Sequence, residues 1–472
     1  MDTSLDDLSS SSYDVHAPRL FKNIFPFVKP PRVVIDYMAP MPDLPSEIFL
    51  TDTTFRDGVQ AFRPYSREEI LTLFEYLALL SGDKGVIRWT EFFLYSSRDR
   101  AVVQELLDMD YKYPKVTGWI RATLDDLRLV KEVGLDETGI LTSISDYHIF
   151  YKLNMTRDKA LRKYLMVVEE ALKSGIIPRC HLEDITRADI YGCVVPFVKE
   201  LMKLSEHYGI PVKIRLSDTL GLGLPFPFTS LPRSIPKIIH VLKYHCGVPS
   251  ECIEFHGHND FSLAVANSLS AWLYGASAVN CTLLGIGERA GNTPLEVMLV
   301  FYVQITEDDL DLKVITDIAK YYREKIGYRI AEEAPIVGNK VFSTAAGIHA
   351  DGLLKNPEVY LPFDPERVLG RRPGIFINDR SGRAGIALWI NFYFGLRGKN
   401  QISKDHPAVD RLYRAIMESY EKGRTSIYTD EELLDLMKKY TPELFRTLIS
   451  QCNAVQRGVI HGYDASREDN KP

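Results

Sequence analysis

The sequence predicts an α/β fold: a (β/α)8 barrel followed by a lid or linker region and a small α-helical C-terminal subdomain. Three observations carry this. Eight short apolar runs recur between about residues 47 and 285, separated by stretches with apolar residues every third or fourth position. The first run leads into TDTTFRDG, where an open doubly wound sheet would carry a Gly-rich phosphate loop. From Ile315 the pattern changes to a helix, a Gly-rich section and then helices again.

Taken in order, MDTSLDDLSSSSYD is acidic and Ser-rich and reads as a disordered tail. Prolines crowd the stretch from about Pro18 to Pro45 and forbid long helices, so it reads as an extended arm on the surface of a partner or of its own body. The tail and arm together occupy 1–45. Strands are expected at 47–53, 86–93, 116–122, 137–143, 176–184, 211–218, 252–258 and 278–285, giving a barrel over 46–320. REEILTLFEYLALL (67–80) and KALRKYLMVVEEALKSG (159–175) are the clearest intervening helices. A lid or linker is expected at 321–395, loop-rich from Pro335 to Gly385, and a helical subdomain at 396–472, with DEELLDLMKKY (430–440) its plainest helix.

A formal charge of −6 argues against a nucleic-acid partner, because tracking phosphates needs a basic excess. No apolar run is long enough to cross a bilayer. Six scattered cysteines without a CxxC pair read as reduced thiols, and the expected location is the cytoplasm.

The chemistry concentrates at strand ends. In HGHND, His256 and His258 are two apart and so project from one face of the seventh strand. That spacing suits a divalent metal or, equally, two imidazoles held by hydrogen bonds; a third ligand would decide. Asp57, at the mouth of the first strand, is that candidate, since strands 1 and 7 are near neighbours in a closed barrel. In PRCHLED, Arg179, His181 and Glu183 alternate and all face the interior, either as an ion-pair network or as binding groups.

DTTFRDGVQ, HGHND, GIGERAGN and GIHADGLLKN, in that order, resemble the family of 2-isopropylmalate, homocitrate and (R)-citramalate synthases, metal-dependent enzymes that condense acyl-CoA with 2-oxo acids. Phe55 departs from the leucine common in relatives. Within the family, TDTTFRDG, EFFLYS, TGWIRA and PRCHLEDITRADIYG are most similar to the Re-type citrate synthases. The resemblance implies that Asp57, His256 and His258 bind a divalent metal (Mn, Co, Zn or Mg), with Asn292 a further or adjacent ligand. It implies that Arg56 stabilises the developing alkoxide, that Glu183 acts in the acid/base step, and that His349 enters from the lid of a second copy in a homodimer. Thr219 is expected to hold the 2-oxo acid's carboxylate, His148 and Gln60 to assist substrate, and Arg179 to meet a distal carboxylate, with His181 narrowing the pocket. The implied substrates are acetyl-CoA and oxaloacetate; homocitrate or isopropylmalate synthesis is the alternative, and a silent metal-binding scaffold the non-enzymatic one. No Gly-rich loop carries the cysteine of the related lyases, and about 75 residues after the lid are too few for a large amino-acid-sensing domain.

Overall fold

The structure, a computed structural model, describes residues 17–25 and 32–456. The expected acidic tail lies outside the described residues. Eight parallel strands close into a barrel: β1 Phe49–Asp52, β2 Ile87–Phe93, β3 Lys115–Arg121, β4 Glu137–Ser143, β5 Ile177–Glu183, β6 Lys213–Asp218, β7 Ile253–Gly257 and β8 Ala278–Cys281. β1 pairs with β8 as well as β2, which leaves no free edge. Outward positions are apolar and packed under the helices; Leu73, Phe74, Leu77 and Leu80 of the helix Arg67–Ser81 are all buried. Ser66 starts that helix with a reciprocal capping box to Glu69, an arrangement worth about 1 kcal/mol.

The inward positions are unusually polar. Glu91, Glu137 and Glu254 lie buried among Arg179, Lys213 and Arg215, so the barrel is filled by a stack of ion pairs. Desolvating these charges is repaid only because each has an opposite charge within hydrogen-bond reach.

The arm lies on its own barrel. Ile24 and Phe25 are buried with Leu222, Ile35 bridges Thr229, and Lys243 meets Asp43 at 2.5 Å. Further in, Arg19 donates its backbone N–H to Asp146 at 2.7 Å, and Leu20 O accepts from the Tyr147 hydroxyl at 2.8 Å.

Glu296 follows β8 and is buried, accepting the Leu284 amide at 3.0 Å with no cation beside it among the described residues. Burial raises its carboxyl to about 7. Because this exceeds its value in the unfolded chain, the contribution of Glu296 to stability is fully present below the unfolded value and is lost as pH rises through about 7. Glu296→Gln should therefore resist urea better than the parent at pH 8, by ~3 kcal/mol at most, and equally at pH 4. Asp52 and Asp218, raised to about 6 by burial, leave a residual slope in both proteins.

The second compact unit comprises, among the described residues, 315–317 and 329–456. Its helices Gly347–Lys355, Gly382–Tyr393, Pro407–Glu421, Asp430–Tyr440 and Pro442–Gln456 share one core that includes Ile386, Trp389, Leu412, Ile416 and Met437. No break therefore falls near residue 395. The apolar face of Gly382–Tyr393 needs the later helices to cover it, and its Trp389 also donates to Asp430 at 2.8 Å. GIHADGLLK, expected within a loop-rich section, is a helix. Among the described residues no helix is long and apolar enough to cross a membrane.

Candidate active site

Asp57, His256 and His258 converge at the C-terminal ends of β1 and β7. Asp57 sits in the tight turn Thr54–Gly58 that follows β1, all of it buried. Its Oδ2 is 3.6 Å from His256 Nε2 and 3.7 Å from His258 Nε2, and the two Nε2 atoms are 3.3 Å apart. Bonds of about 2.0–2.2 Å to one ion would set its ligands roughly 3.0–3.5 Å apart, so the three atoms fit a single divalent cation with little adjustment. His256 Nδ1 faces Asn280 Oδ1 at 2.7 Å, an arrangement that places the proton on Nδ1 and leaves the Nε2 lone pair for the ion. Burial lowers both imidazoles and keeps them neutral, the form that ligates. Burial pushes the Asp57 carboxyl up, but the Arg56 guanidinium and the hydrogen bond from Asn292 outweigh it and hold it ionised.

Asn292 reaches this group through its amide nitrogen, which donates to Asp57 Oδ2 at 2.6 Å. It braces the carboxylate, the adjacent one of its two expected roles, and its Oδ1 is buried with no hydrogen-bond partner among the described residues. Gly287 makes this approach feasible, since a Cβ there would lie 1.6 Å from Asn292 Oδ1.

Arg56 is fixed on two sides, with Nε donating to Glu91 at 2.8 Å and Nη1 to Asp57 at 2.9 Å. Its Nη2 has no partner among the described residues. Glu91 was missed in the sequence, although a carboxylate at an inward position of an otherwise apolar strand was a usable signal. It also takes Arg215 Nη1 at 3.1 Å and Thr53 Oγ1 at 3.1 Å. Gln60 is exposed just beyond this turn and lines a cavity of about 530 Å³ with the 284–291 loop and Tyr328.

A second group forms at the ends of β4 and β5. His148 Nδ1 lies 2.9 Å from Glu183 Oε2, and Lys152 Nζ lies 2.8 and 2.9 Å from the two Glu183 oxygens. Ser143 donates to Glu183 as well. Burial raises the Glu183 carboxyl, but His148 and Lys152 more than offset this and hold it at about 2. Thr219 closes the neighbouring gap, its hydroxyl accepting the Asp184 amide at 2.8 Å.

Arg179 does not reach the mouth. Glu183 lies four positions further along the strand, about 13 Å away. There it pairs with Glu137, lies 3.4 Å from Glu254, and packs over Trp89. Its charge is already matched, so the expected distal-carboxylate role is corrected to a structural one. Alternation fixed its face, but its partners come from β4 and β7. Arg179→Met should lower unfolding free energy by about 3–5 kcal/mol in urea melts, since two buried carboxylates lose a partner, and leave KM for a 2-oxo acid unchanged.

His181 sits one layer below the mouth. Trp119 Nε1 donates to its Nδ1 at 3.2 Å, and its Nε2 faces Glu91 Oε1 at 3.4 Å. Burial, with Arg215 and Arg56 nearby, holds it well below its ordinary value, hence neutral. Both ring nitrogens face protein groups, which hold the ring inside the barrel. Gly139 leaves the room for this: a Cβ there would lie 2.6 Å from His181 Nε2. The indole of Trp119, also unforeseen, stands 5.5 Å from the Arg56 guanidinium. His349, in the second unit, is exposed on the helix Gly347–Lys355, with Nδ1 3.3 Å from Thr344 Oγ1 and its ring against Tyr360.

Comparison with known proteins adds relatives of the whole chain. The chain is 48% identical over 444 residues to the citrate (Re)-synthase of Clostridium kluyveri, covering 93% of this chain and 98% of that one. It is 49% identical over 435 residues to the citrate (Re)-synthase of Syntrophus aciditrophicus, covering 92% and 69%. It is 37% identical to the 2-phosphinomethylmalate synthase of Streptomyces hygroscopicus, covering 89% and 96%. A solved hydroxymethylglutaryl-CoA lyase from Pseudomonas aeruginosa matches with a TM-score of 0.49 and 18% identity, over 62% of this chain and 97% of that one. A homocitrate synthase post-HMGL domain-like family matches residues 336–397. The HMGL-like family matches residues 47–321, the whole barrel with the paired histidines and their aspartate, and to that family this chain belongs.

Proposed function

We propose that this chain is an acetyl-CoA-dependent citrate synthase of the Re type: acetyl-CoA, oxaloacetate and water give citrate and CoA. The observation that carries the reading is 48% identity across 93% of the chain to a citrate (Re)-synthase, with the Asp57, His256 and His258 group in place. A divalent cation held by those three residues (Mn, Co, Zn or Mg all suit the donors) supplies Lewis acidity toward a ketone. Arg56, held by Glu91 and Asp57, offers Nη2 to the oxygen that gains charge as the new carbon–carbon bond forms. Thr219 faces the acceptor's carboxylate, and Asn292 keeps Asp57 oriented. Glu183 and His349 take the methyl proton of acetyl-CoA, with His148 placing the Glu183 carboxylate. His349 comes from a second copy, as the register of GIHADG with the family implies.

The test is to mix protein, Mn²⁺ and acetyl-CoA with oxaloacetate, 2-oxoglutarate, 2-oxoisovalerate or pyruvate and to follow free thiol. Oxaloacetate should be preferred; preference for 2-oxoisovalerate would overturn the reading. Sharing of His349 between copies has its own check. Arg56→Ala and His349→Ala proteins, each inactive, should regain up to about a quarter of parental activity when dissociated and reassembled together. No recovery would place both residues in one copy's site.

A further inference from the structure

Oxaloacetate carries two carboxylates, and Arg179, the residue expected to meet the second, is matched by Glu137 and Glu254 deep in the barrel. The mouth must supply another cation. Arg121 is held by both oxygens of Asp126, Arg187 by Asp184, and Arg289 by Asp260 and the Thr219 carbonyl. Each of these guanidiniums is a planar fork held through two nitrogens at once, so turning it away breaks several bonds together.

Lys152 differs. It ends the turn Tyr147–Lys152 that follows β4, and its side chain is 46% exposed, against 17% for its partner Glu183. Glu183 also has His148 at 2.9 Å and the Ser143 hydroxyl, so it stays satisfied if the ammonium turns away. Four flexible methylenes let the ammonium swing between a protein carboxylate and a ligand's.

We propose that Lys152 receives the second carboxylate of the acceptor, exchanging Glu183 for it when the acceptor binds. This rests on the reading of the acceptor as a dicarboxylic 2-oxo acid. The exchange has a consequence for Glu183. The groups around that carboxylate are His148, Lys152, Asp184, Ser143 and Tyr164. Withdrawing the ammonium removes one of the two groups that hold its proton affinity down, so Glu183 becomes a stronger base only once the acceptor is in place.

Steady-state kinetics of Lys152→Met and Lys152→Arg test this, with oxaloacetate, pyruvate and acetyl-CoA varied in turn. Lys152→Met should raise KM for oxaloacetate about ten- to a hundredfold, leave KM for acetyl-CoA within about twofold, and shift preference toward pyruvate, which has no second carboxylate. Lys152→Arg should recover most of the oxaloacetate affinity. An unchanged KM for oxaloacetate, or an equal fall in turnover with both acceptors, would overturn the proposal and confine Lys152 to Glu183. Should Lys152→Met not fold, calorimetric titration of Lys152→Gln with oxaloacetate reads the same affinity. Failure of the parent protein to use oxaloacetate removes the functional reading as well. An active parent whose Lys152 variants keep their preference sinks this proposal alone.

Discussion

Asp57→Asn is expected to weaken binding of Mn²⁺ or Zn²⁺ by at least about a hundredfold in calorimetric titration and to reduce turnover by about 10³-fold or more. The amide keeps the size of the carboxylate but removes the charge that draws a dication to two neutral imidazoles 3.3 Å apart. Its one remaining oxygen can accept from Asn292 or from Arg56 but not from both, as the carboxylate does at 2.6 and 2.9 Å. Dialysis of the parent against a chelator should have the same effect on turnover, reversed by Mn²⁺, with no loss of helical signal in circular dichroism. A stripped protein that turns over at full rate would remove the metal from the account.

The second large effect concerns Arg56. Arg56→Ala should lower kcat by about 10²–10³-fold, with KM for the 2-oxo acid changing much less, because a donor aimed at developing charge acts mainly in the transition state. Arg56→Lys should recover little. A lysine has one ammonium where the guanidinium spans Glu91 through Nε and Asp57 through Nη1 while presenting Nη2. Glu91→Gln supplies the complementary measurement. If Glu91 acts by orienting the guanidinium, this variant lowers kcat while metal binding by titration stays intact. A KM effect alone would make Arg56 a binding residue.

Much of the site was legible because strand geometry is periodic. The i, i+2 rule placed His256 and His258 on one face, and the closure of eight strands brought Asp57 to them. The same rule turned Arg179, His181 and Glu183 inward but gave no depth. At ~3.3 Å per residue, Arg179 and Glu183 occupy different storeys of the barrel, and only the upper one opens to substrate.

What the sequence alone determined is the architecture and the identity of the chemical groups: the eight-stranded pattern, the capped amphipathic helices such as Arg67–Ser81, and the pairing of a first-strand aspartate with two seventh-strand histidines. Those follow from local periodicity, which a linear chain carries in full. Only the tertiary structure decided which charges are spent on one another. Glu91 with Arg56, Glu137 and Glu254 with Arg179, and Lys152 with Glu183 join segments 30 or more residues apart. Whether a buried charge is free for a ligand depends on the partner that folding places beside it, and adjacency between distant strands is a property of the closed barrel that no single segment contains.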